Sequence, residues 1–162
     1  MSHRREIEFV LNGVVTRASV PLEASALSML RDVIGLTGTK YGCGVAACGE
    51  GECGACTIEV DGASVCACLQ FAVDCEGRTV TTIEGAARDP LAARIERAFV
   101  EHGAVQCGFC TPGMVMQARN WLATHPDPTR EEIKRAIEGN LCRCTGYVKI
   151  VDAIEAACRG GR

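Results

Sequence analysis

The sequence predicts an α+β protein whose first half is rich in β-strands and whose second half is all helical. In the first half, Asn12-Gly13 and Asp61-Gly62 each separate two strand-like segments, which is the pattern of a hairpin with a two-residue turn. In the second half, three helix-start signals follow one another beyond residue 88, and a fourth helical segment follows Gly146. The chain has 162 residues, 48% of them apolar, so it can bury the core of one ordinary domain or of two small ones.

The elements of the first half follow from local periodicity. Ile7, Phe9 and Leu11 alternate along the strand before the first turn and place one apolar face toward a core. Apolar residues recur at helical spacing over residues 25–34, which predicts a helix there. The second hairpin follows a cysteine-rich loop, and a last strand is predicted over residues 78–83.

Three of the four helices predicted in the second half are marked at their first turn. The signals are Asp89-Pro90, Thr111-Pro112, and the pair Thr129 and Glu132, and the fourth helix is predicted over YVKIVDAIEAAC after Gly146. The first two combine an N-cap with a proline at the first helical position, and the third has the spacing of a capping box. The sequence therefore predicts two domains, at residues 1–84 and 85–162.

Composition and charge exclude several classes of function. The 17 basic and 20 acidic residues give a net charge of -3 with no basic run, so nucleic-acid binding is not expected. No apolar run approaches the roughly 20 residues that span a bilayer, and no hydrophobic secretory segment follows the N-terminal arginine pair. There is neither a G-x-G-x-x-G motif after a strand nor a P-loop. We expect a cytoplasmic protein with no membrane span and no nucleotide site of its own.

Twelve cysteines are the outstanding feature of the composition. They are compatible with a disulfide framework, a zinc scaffold or iron-sulfur clusters, and the lack of a secretory segment argues against disulfides. In the second half, Cys107 and Cys110 form a C-x2-C pair, and Cys142 and Cys144 form a C-x-C pair. Both pairs come immediately before a predicted helix, whose positive N-terminal end stabilises thiolates. Because structural zinc usually draws on two C-x2-C pairs, this pattern favours iron-sulfur over zinc.

The stretch KYGCGVAACGEGECGACT contains the plant-type 2Fe-2S spacing C-x4-C-x2-C. Cys48, Cys53 and Cys56 satisfy this spacing. Cys43 and Cys48 also form a C-x4-C pair, but the third position would then be Gly51. The spacing therefore selects the first set, and the fourth ligand is expected from the next hairpin. The candidates there are Cys66, Cys68 and Cys75.

Four blocks of the chain closely resemble the signature blocks of one family, in the family's order. They are LTGTKYGCG, CGEGECGACTIEVDG, VQCGFCTPGMVM and GNLCRCTGYVKIVDAI. The family is that of the small iron-sulfur subunits of the molybdenum hydroxylases, the xanthine oxidase family. The resemblance implies a β-grasp plant-type ferredoxin domain followed by a four-helix domain with pseudo-twofold symmetry, each with one 2Fe-2S cluster. It also implies that Cys68 is the fourth ligand of the first cluster.

The cysteine-rich loop departs from the family pattern, because it is longer than the family's single C-x4-C segment. If the extra residues loop out, Cys43, Cys48 and Cys56 become an alternative ligand set and Cys53 is spare. We favour Cys48, Cys53 and Cys56, because that set keeps both spans of the motif intact. The other extra cysteines are expected to be small buried apolar residues, and they are Cys66, Cys75 and Cys158.

The resemblance also implies a function, that of an electron-transfer subunit with no catalytic residues of its own. Gln106 is expected beside the pterin of the molybdenum cofactor, with Cys144 near it. A large partner subunit would bind that molybdopterin cofactor and choose the substrate. Electrons would pass to the helical-domain cluster, then to the plant-type cluster, and then to FAD in a medium subunit or to a cytochrome. The alternatives are a free-standing two-cluster ferredoxin shuttle and a zinc-stabilised interaction module.

Overall fold

A computed structural model describes residues 3–43 and 48–160 of the chain. The N-terminal half forms a mixed five-stranded sheet and the C-terminal half is helical, so the predicted α+β class is confirmed. Within the described ranges, no helix has both the length and the apolar character needed to cross a membrane.

The sheet is built from two hairpins and one later strand. Its strands are β1 (Arg4–Leu11), β2 (Val14–Pro21), β3 (Thr57–Val60), β4 (Ala63–Cys66) and β5 (Thr79–Thr81). Both predicted turns are present, with φ angles of 53° and 84° at Asn12 and Gly13 and of 49° and 86° at Asp61 and Gly62. Two consecutive positive φ angles are typical of the type I′ turn, which matches the twist of the strands that it joins.

The strand order is β2-β1-β5-β3-β4, with β1 and β5 parallel and the other neighbours antiparallel. The parallel pairing joins distant parts of the sequence, such as Val10 and Thr79. Asn12 reinforces it, since its side chain donates to Thr82 Oγ1 at 3.0 Å and accepts from the Thr82 N–H at 2.9 Å. The pairing brings the end of the N-terminal half back to its first strand.

The helix predicted after β2 is present in an irregular form. α1 (Ala26–Ser28) continues directly into a π-helical segment, Met29–Val33. Leu27 and Leu30 are fully buried in the same core as the inward side chains of the sheet. A 3-10 turn over Ala72–Cys75, which periodicity did not predict, completes this core and buries its last cysteine.

The helical half contains the four predicted helices and one short helix before them. They are α2 (Ile83–Ala86), α3 (Pro90–Glu101), α4 (Thr111–Leu122), α5 (Arg130–Ala136) and α6 (Val148–Arg159). Asp89 caps α3 through hydrogen bonds from two backbone N–H groups, and Thr129 with Glu132 forms the capping box predicted for α5. α4 differs slightly from the prediction, because its N-cap residue is Cys110 rather than Thr111.

The two halves are joined through β3 and α4. Arg119 of α4 pairs with Glu59 of β3 and, at 2.8 Å, with Asp89 at the start of α3. Asn120 donates to Glu59 Oε2 at 3.0 Å and to the Gly62 carbonyl oxygen at 2.7 Å. These contacts hold the helical half against the sheet. They thereby set the position of the cysteines of one half relative to those of the other.

Candidate metal centres

The four cysteines predicted as ligands in the helical half lie together. Cys107 Sγ is 3.5 Å from Cys144 Sγ, and the thiols of Cys110 and Cys142 contact each other. Two of these cysteines come directly before or at the start of α4, and the other two lie in the loop before α6. The structure thus brings two separate segments together as two neighbouring thiol pairs.

The pairing of these thiols fits a two-iron cluster. In a 2Fe-2S cluster each iron takes two cysteine sulfurs in addition to the bridging sulfides, so four cysteines are used as two pairs. The number of thiols and their arrangement in pairs therefore suit this cluster type.

Hydrogen bonds around the helical-half site favour anionic sulfur. Burial raises the pKa of Cys142, but the Thr145 hydroxyl, 3.1 Å from its sulfur, and backbone N–H groups outweigh burial and leave the pKa lowered. The N–H of Phe109 lowers the pKa of the exposed Cys107. Burial raises the pKa of Cys110 to about 12. Donors directed at sulfur are what a negatively charged cluster requires.

Tyr147 supports the loop that carries Cys142. It precedes α6 and has a left-handed backbone conformation with a φ of 68°, which is uncommon for a residue other than glycine. Its hydroxyl accepts a hydrogen bond from the Cys142 N–H at 2.8 Å and donates to the Asn140 carbonyl oxygen at 3.4 Å. Residue spacing could not predict this role, because both partners are backbone groups.

The cysteines of the first half also converge. Cys56 contacts both Cys66 and Cys68, which lie at and just beyond the end of β4. Cys48 is near enough to Cys68 to act on it electrostatically, and burial raises the pKa of Cys68 to about 12. Cys66, expected only as a buried apolar residue, is half-buried and lies beside two predicted ligands. Cys75 is fully buried in the core of the sheet domain.

Cys43 and Cys53, which belong to the two alternative ligand sets, contact each other through their thiols. Burial raises the pKa of Cys53 to about 11. Residues 44–47, which connect Cys43 to Cys48 in the lengthened loop, lie outside the described residues. The choice of Cys48, Cys53, Cys56 and Cys68 as ligands stays a prediction.

A cavity of about 240 Å³ lies between the two groups of cysteines. It is lined by Cys53 from the first half and by all four cysteines of the helical half. The backbones of the two halves meet at this place, since the Leu141 N–H donates to the Cys53 carbonyl oxygen at 2.8 Å. A side chain at Gly113 would collide with the Gly54 carbonyl oxygen, so the close approach requires glycine there. One predicted ligand of the first cluster therefore faces the predicted ligands of the second.

Gln106 and Cys144 lie on the outer side of the helical-half site. Both are exposed, and so is Cys107, which follows Gln106 in the chain and contacts Cys144. Two large apolar side chains stand beside them, Phe109 at 48% exposure and Leu141 at 54%. This end of the site is thus open to a partner, and the contact of Gln106 with a pterin stays a prediction.

Comparison with known proteins places these features in one family. A model of the 2Fe-2S binding domain, Fer2_2, matches residues 82–155. The nicotinate dehydrogenase small FeS subunit of Eubacterium barkeri is 44% identical over 93% of each chain, and the xanthine dehydrogenase iron-sulfur-binding subunit of Escherichia coli O157:H7 is 42% identical over 91% of each. The structure of quinoline 2-oxidoreductase from Pseudomonas putida 86 superposes with a TM-score of 0.89 at 42% identity, over 99% of this chain and 98% of the other. The chain therefore belongs to the small iron-sulfur subunits of the molybdenum hydroxylase, or xanthine oxidase, family, whose role is non-catalytic electron transfer within an oxidoreductase complex.

Proposed function

We propose that this chain passes single electrons between the molybdopterin site of a large partner subunit and an acceptor, by holding two 2Fe-2S clusters. The observation that carries the proposal is the cavity lined both by Cys53 and by the four cysteines of the helical half. Each cluster, when bound, supplies a one-electron redox centre. The chain itself supplies the ligands, the distance between the two sites and the hydrogen bonds to sulfur.

The proposed ligands form two sets, one in each half. They are Cys48, Cys53, Cys56 and Cys68 for the plant-type cluster, and Cys107, Cys110, Cys142 and Cys144 for the helical-domain cluster. The ferredoxin domain would span residues 1–84 and the helical domain residues 85–162. We propose a pseudo-twofold relation within the latter, because each cysteine pair leads into a helix of 12 residues, α4 or α6.

The exposed end of the helical-half site is the proposed contact with the large subunit. Gln106 and Cys144 would lie beside the pterin there, and the apolar side chains around them would be covered by the partner. The route then crosses to the first half, where the Leu141 N–H meets the Cys53 carbonyl oxygen. Beyond the plant-type site, the proposed acceptor is FAD in a medium subunit, and a cytochrome is the alternative.

The relatives support a complex of several subunits. Their names describe small or iron-sulfur-binding subunits of nicotinate and xanthine dehydrogenases, so larger partners complete those enzymes. The substrate would be chosen by the large subunit of this complex. The proposed location is the cytoplasm, whose reducing conditions keep cysteines available as cluster ligands.

Copurification from the native host, with metal analysis and EPR of the dithionite-reduced sample, tests the proposal. We expect two distinct 2Fe-2S signals, about four iron atoms per chain, and molybdenum in a larger partner in equal amount. Iron at the same level on a chain that travels alone, without molybdenum, would support the free-standing ferredoxin shuttle instead. Zinc in place of iron would refute both, because Zn²⁺ undergoes no redox chemistry.

A further inference from the structure

The peptide group between Gly54 and Ala55 lies at the point where the two halves meet. Its N–H, which belongs to Ala55, is close enough to the sulfur of Cys53 to interact with it. Its carbonyl oxygen, which belongs to Gly54, accepts hydrogen bonds from Thr57 Oγ1 at 2.7 Å and from Asn140 Nδ2 at 2.9 Å. One peptide group thus links a predicted cluster ligand to a side chain of the other domain.

Asn140 is held tightly in this position. It is only 4% exposed, and its amide also donates to Thr57 Oγ1 at 3.2 Å. A Cβ atom at Gly54 would come within 2.6 Å of Asn140 Nδ2 and within 2.5 Å of the Gly139 carbonyl oxygen. The neighbouring Leu141 N–H donates to the Cys53 carbonyl oxygen at 2.8 Å. Because a carbonyl oxygen can only accept, the NH₂ group of Asn140 is the end of its amide that faces the Gly54 carbonyl oxygen.

We propose that Asn140 is a positioning residue of the helical domain that raises the reduction potential of the cluster in the other domain. A donor at the Gly54 carbonyl oxygen polarises the peptide and strengthens the interaction of its N–H with Cys53 Sγ, because linked hydrogen bonds reinforce one another. Hydrogen bonds to ligand sulfur stabilise the more negative, reduced state of a cluster and shift its potential upward. The inference rests on the proposed function, with Cys53 as a ligand.

Redox titration of the intact complex, followed by EPR, tests this role with three variants. Asn140→Ala removes the donor from the helical domain, and Thr57→Val removes the second side-chain donor to the same carbonyl oxygen. Asn120→Ala is the matched control, because Asn120 also bridges the two halves with two hydrogen bonds but at Glu59 and Gly62, away from the cysteines.

We expect Asn140→Ala and Thr57→Val to lower the midpoint potential of the plant-type cluster only. At a fixed ambient potential, the ratio of reduced to oxidised plant-type cluster should fall by roughly 1.3- to 4-fold, because losing a linked donor weakens the interaction at Cys53 Sγ by only about 10–30%. The Asn120→Ala variant should lower thermal stability without moving either potential. If Asn140→Ala does not retain iron, the potential measured in Thr57→Val tests whether side-chain donors at the Gly54 carbonyl oxygen raise the potential of the plant-type cluster.

Two results separate this inference from the function on which it rests. A wild-type complex without two 2Fe-2S signals would overturn the proposed function before any variant is compared. Two normal signals in the wild type, with unchanged plant-type potential in the iron-loaded variants, would overturn only the role of Asn140. An equal shift of both clusters, or the same shift in Asn120→Ala, would also overturn it, because a general loosening of the domain contact would then be the cause.

Discussion

At the scale of single residues, the cysteine loops are shaped by polar side chains that bind backbone groups. Tyr147 holds the N–H of Cys142, and the Thr145 hydroxyl lies at the sulfur of the same cysteine. Asn140 reaches across to the Gly54 carbonyl oxygen in the other half. These side chains fix the conformations of the loops that carry the cysteines. Replacing them should therefore change the reduction potentials of the clusters more than the number of cysteines that bind iron.

Replacing Cys110 with serine should remove one cluster and spare the other. Cys110 contacts Cys142 within the helical-half site, whereas the plant-type ligands are supplied by the first half. We expect Cys110→Ser to abolish or distort one set of reduced-cluster EPR signals and to leave the other set unchanged. Cys158→Ser is the control, since this thiol donates to the Ile154 carbonyl oxygen within α6. Loss of both signal sets in Cys110→Ser would contradict two independent sites.

Cys43 and Cys53 can be separated by matched substitutions. The two thiols contact each other, but only Cys53 preserves the C-x4-C-x2-C spacing. We expect Cys43→Ser to retain both sets of EPR signals and Cys53→Ser to lose the plant-type set. The reverse outcome would show that Cys43, Cys48 and Cys56 are the ligands and that the lengthened loop is used differently.

The sequence was informative about cysteines and much less about their supporting residues. The family resemblance singled out Cys68 among three candidates; the structure places both Cys66 and Cys68 beside Cys56, so the choice of Cys68 stays a prediction. The roles of Tyr147 and Asn140 could not be predicted, because each depends on a backbone group that only the tertiary fold brings near. Cys66 was expected to be a small buried apolar residue. Its contact with Cys56 could not be predicted, because this contact also depends on the tertiary fold.

At the scale of elements, short-range chemistry explains the regular parts of the structure. The two hairpin turns need positive φ at both central residues, and Asn-Gly and Asp-Gly tolerate it. The starts of α3 and α5 follow from side chains that cap free N–H groups. The short helix α2, the 3-10 turn and the parallel β1–β5 pairing have no comparable local signal, so periodicity did not predict them.

Removing the cap of α5 should destabilise the helical half by a predictable amount. Thr129 accepts a hydrogen bond from the Glu132 N–H, and the Glu132 carboxylate accepts one from the Thr129 N–H. We expect Thr129→Ala to lower the free energy of unfolding by about 1 kcal/mol, measured by anaerobic denaturant titration with far-UV circular dichroism. Thr129→Ser keeps the hydroxyl and should be close to wild type, and an equal loss in both variants would argue against the cap.

At the scale of the whole molecule, each half has its own apolar core, and polar contacts join the two halves. Arg119 connects Glu59 of the sheet with Asp89 of the helical half, and its own side chain is only 21% exposed. Asn120 adds hydrogen bonds to Glu59 and Gly62, and a second joint lies around Gly54, Asn140 and Leu141. The relative placement of the two cysteine groups therefore depends on a few hydrogen-bonded residues.

Replacing Arg119 with glutamine should weaken this joint. The carboxylate of Glu59, 13% exposed, would lose its cationic partner, which we expect to lower the free energy of unfolding by about 2 kcal/mol. Iron content should stay at the wild-type level, because no proposed ligand is touched. Thermal denaturation compares this variant with Arg97→Gln, a change at an exposed position of α3. Equal melting temperatures for the two variants would contradict a structural role for Arg119.

The hydrogen bond from Asn140 to Gly54 has a consequence for biogenesis. It joins residues 86 positions apart, so the loop around Cys53 cannot gain its native contacts until most of the chain has left the ribosome. The parallel pairing of β1 with β5 imposes a similar delay on the sheet. Cluster delivery to the plant-type site is thus expected to be post-translational, with the scaffold machinery meeting an almost completed polypeptide.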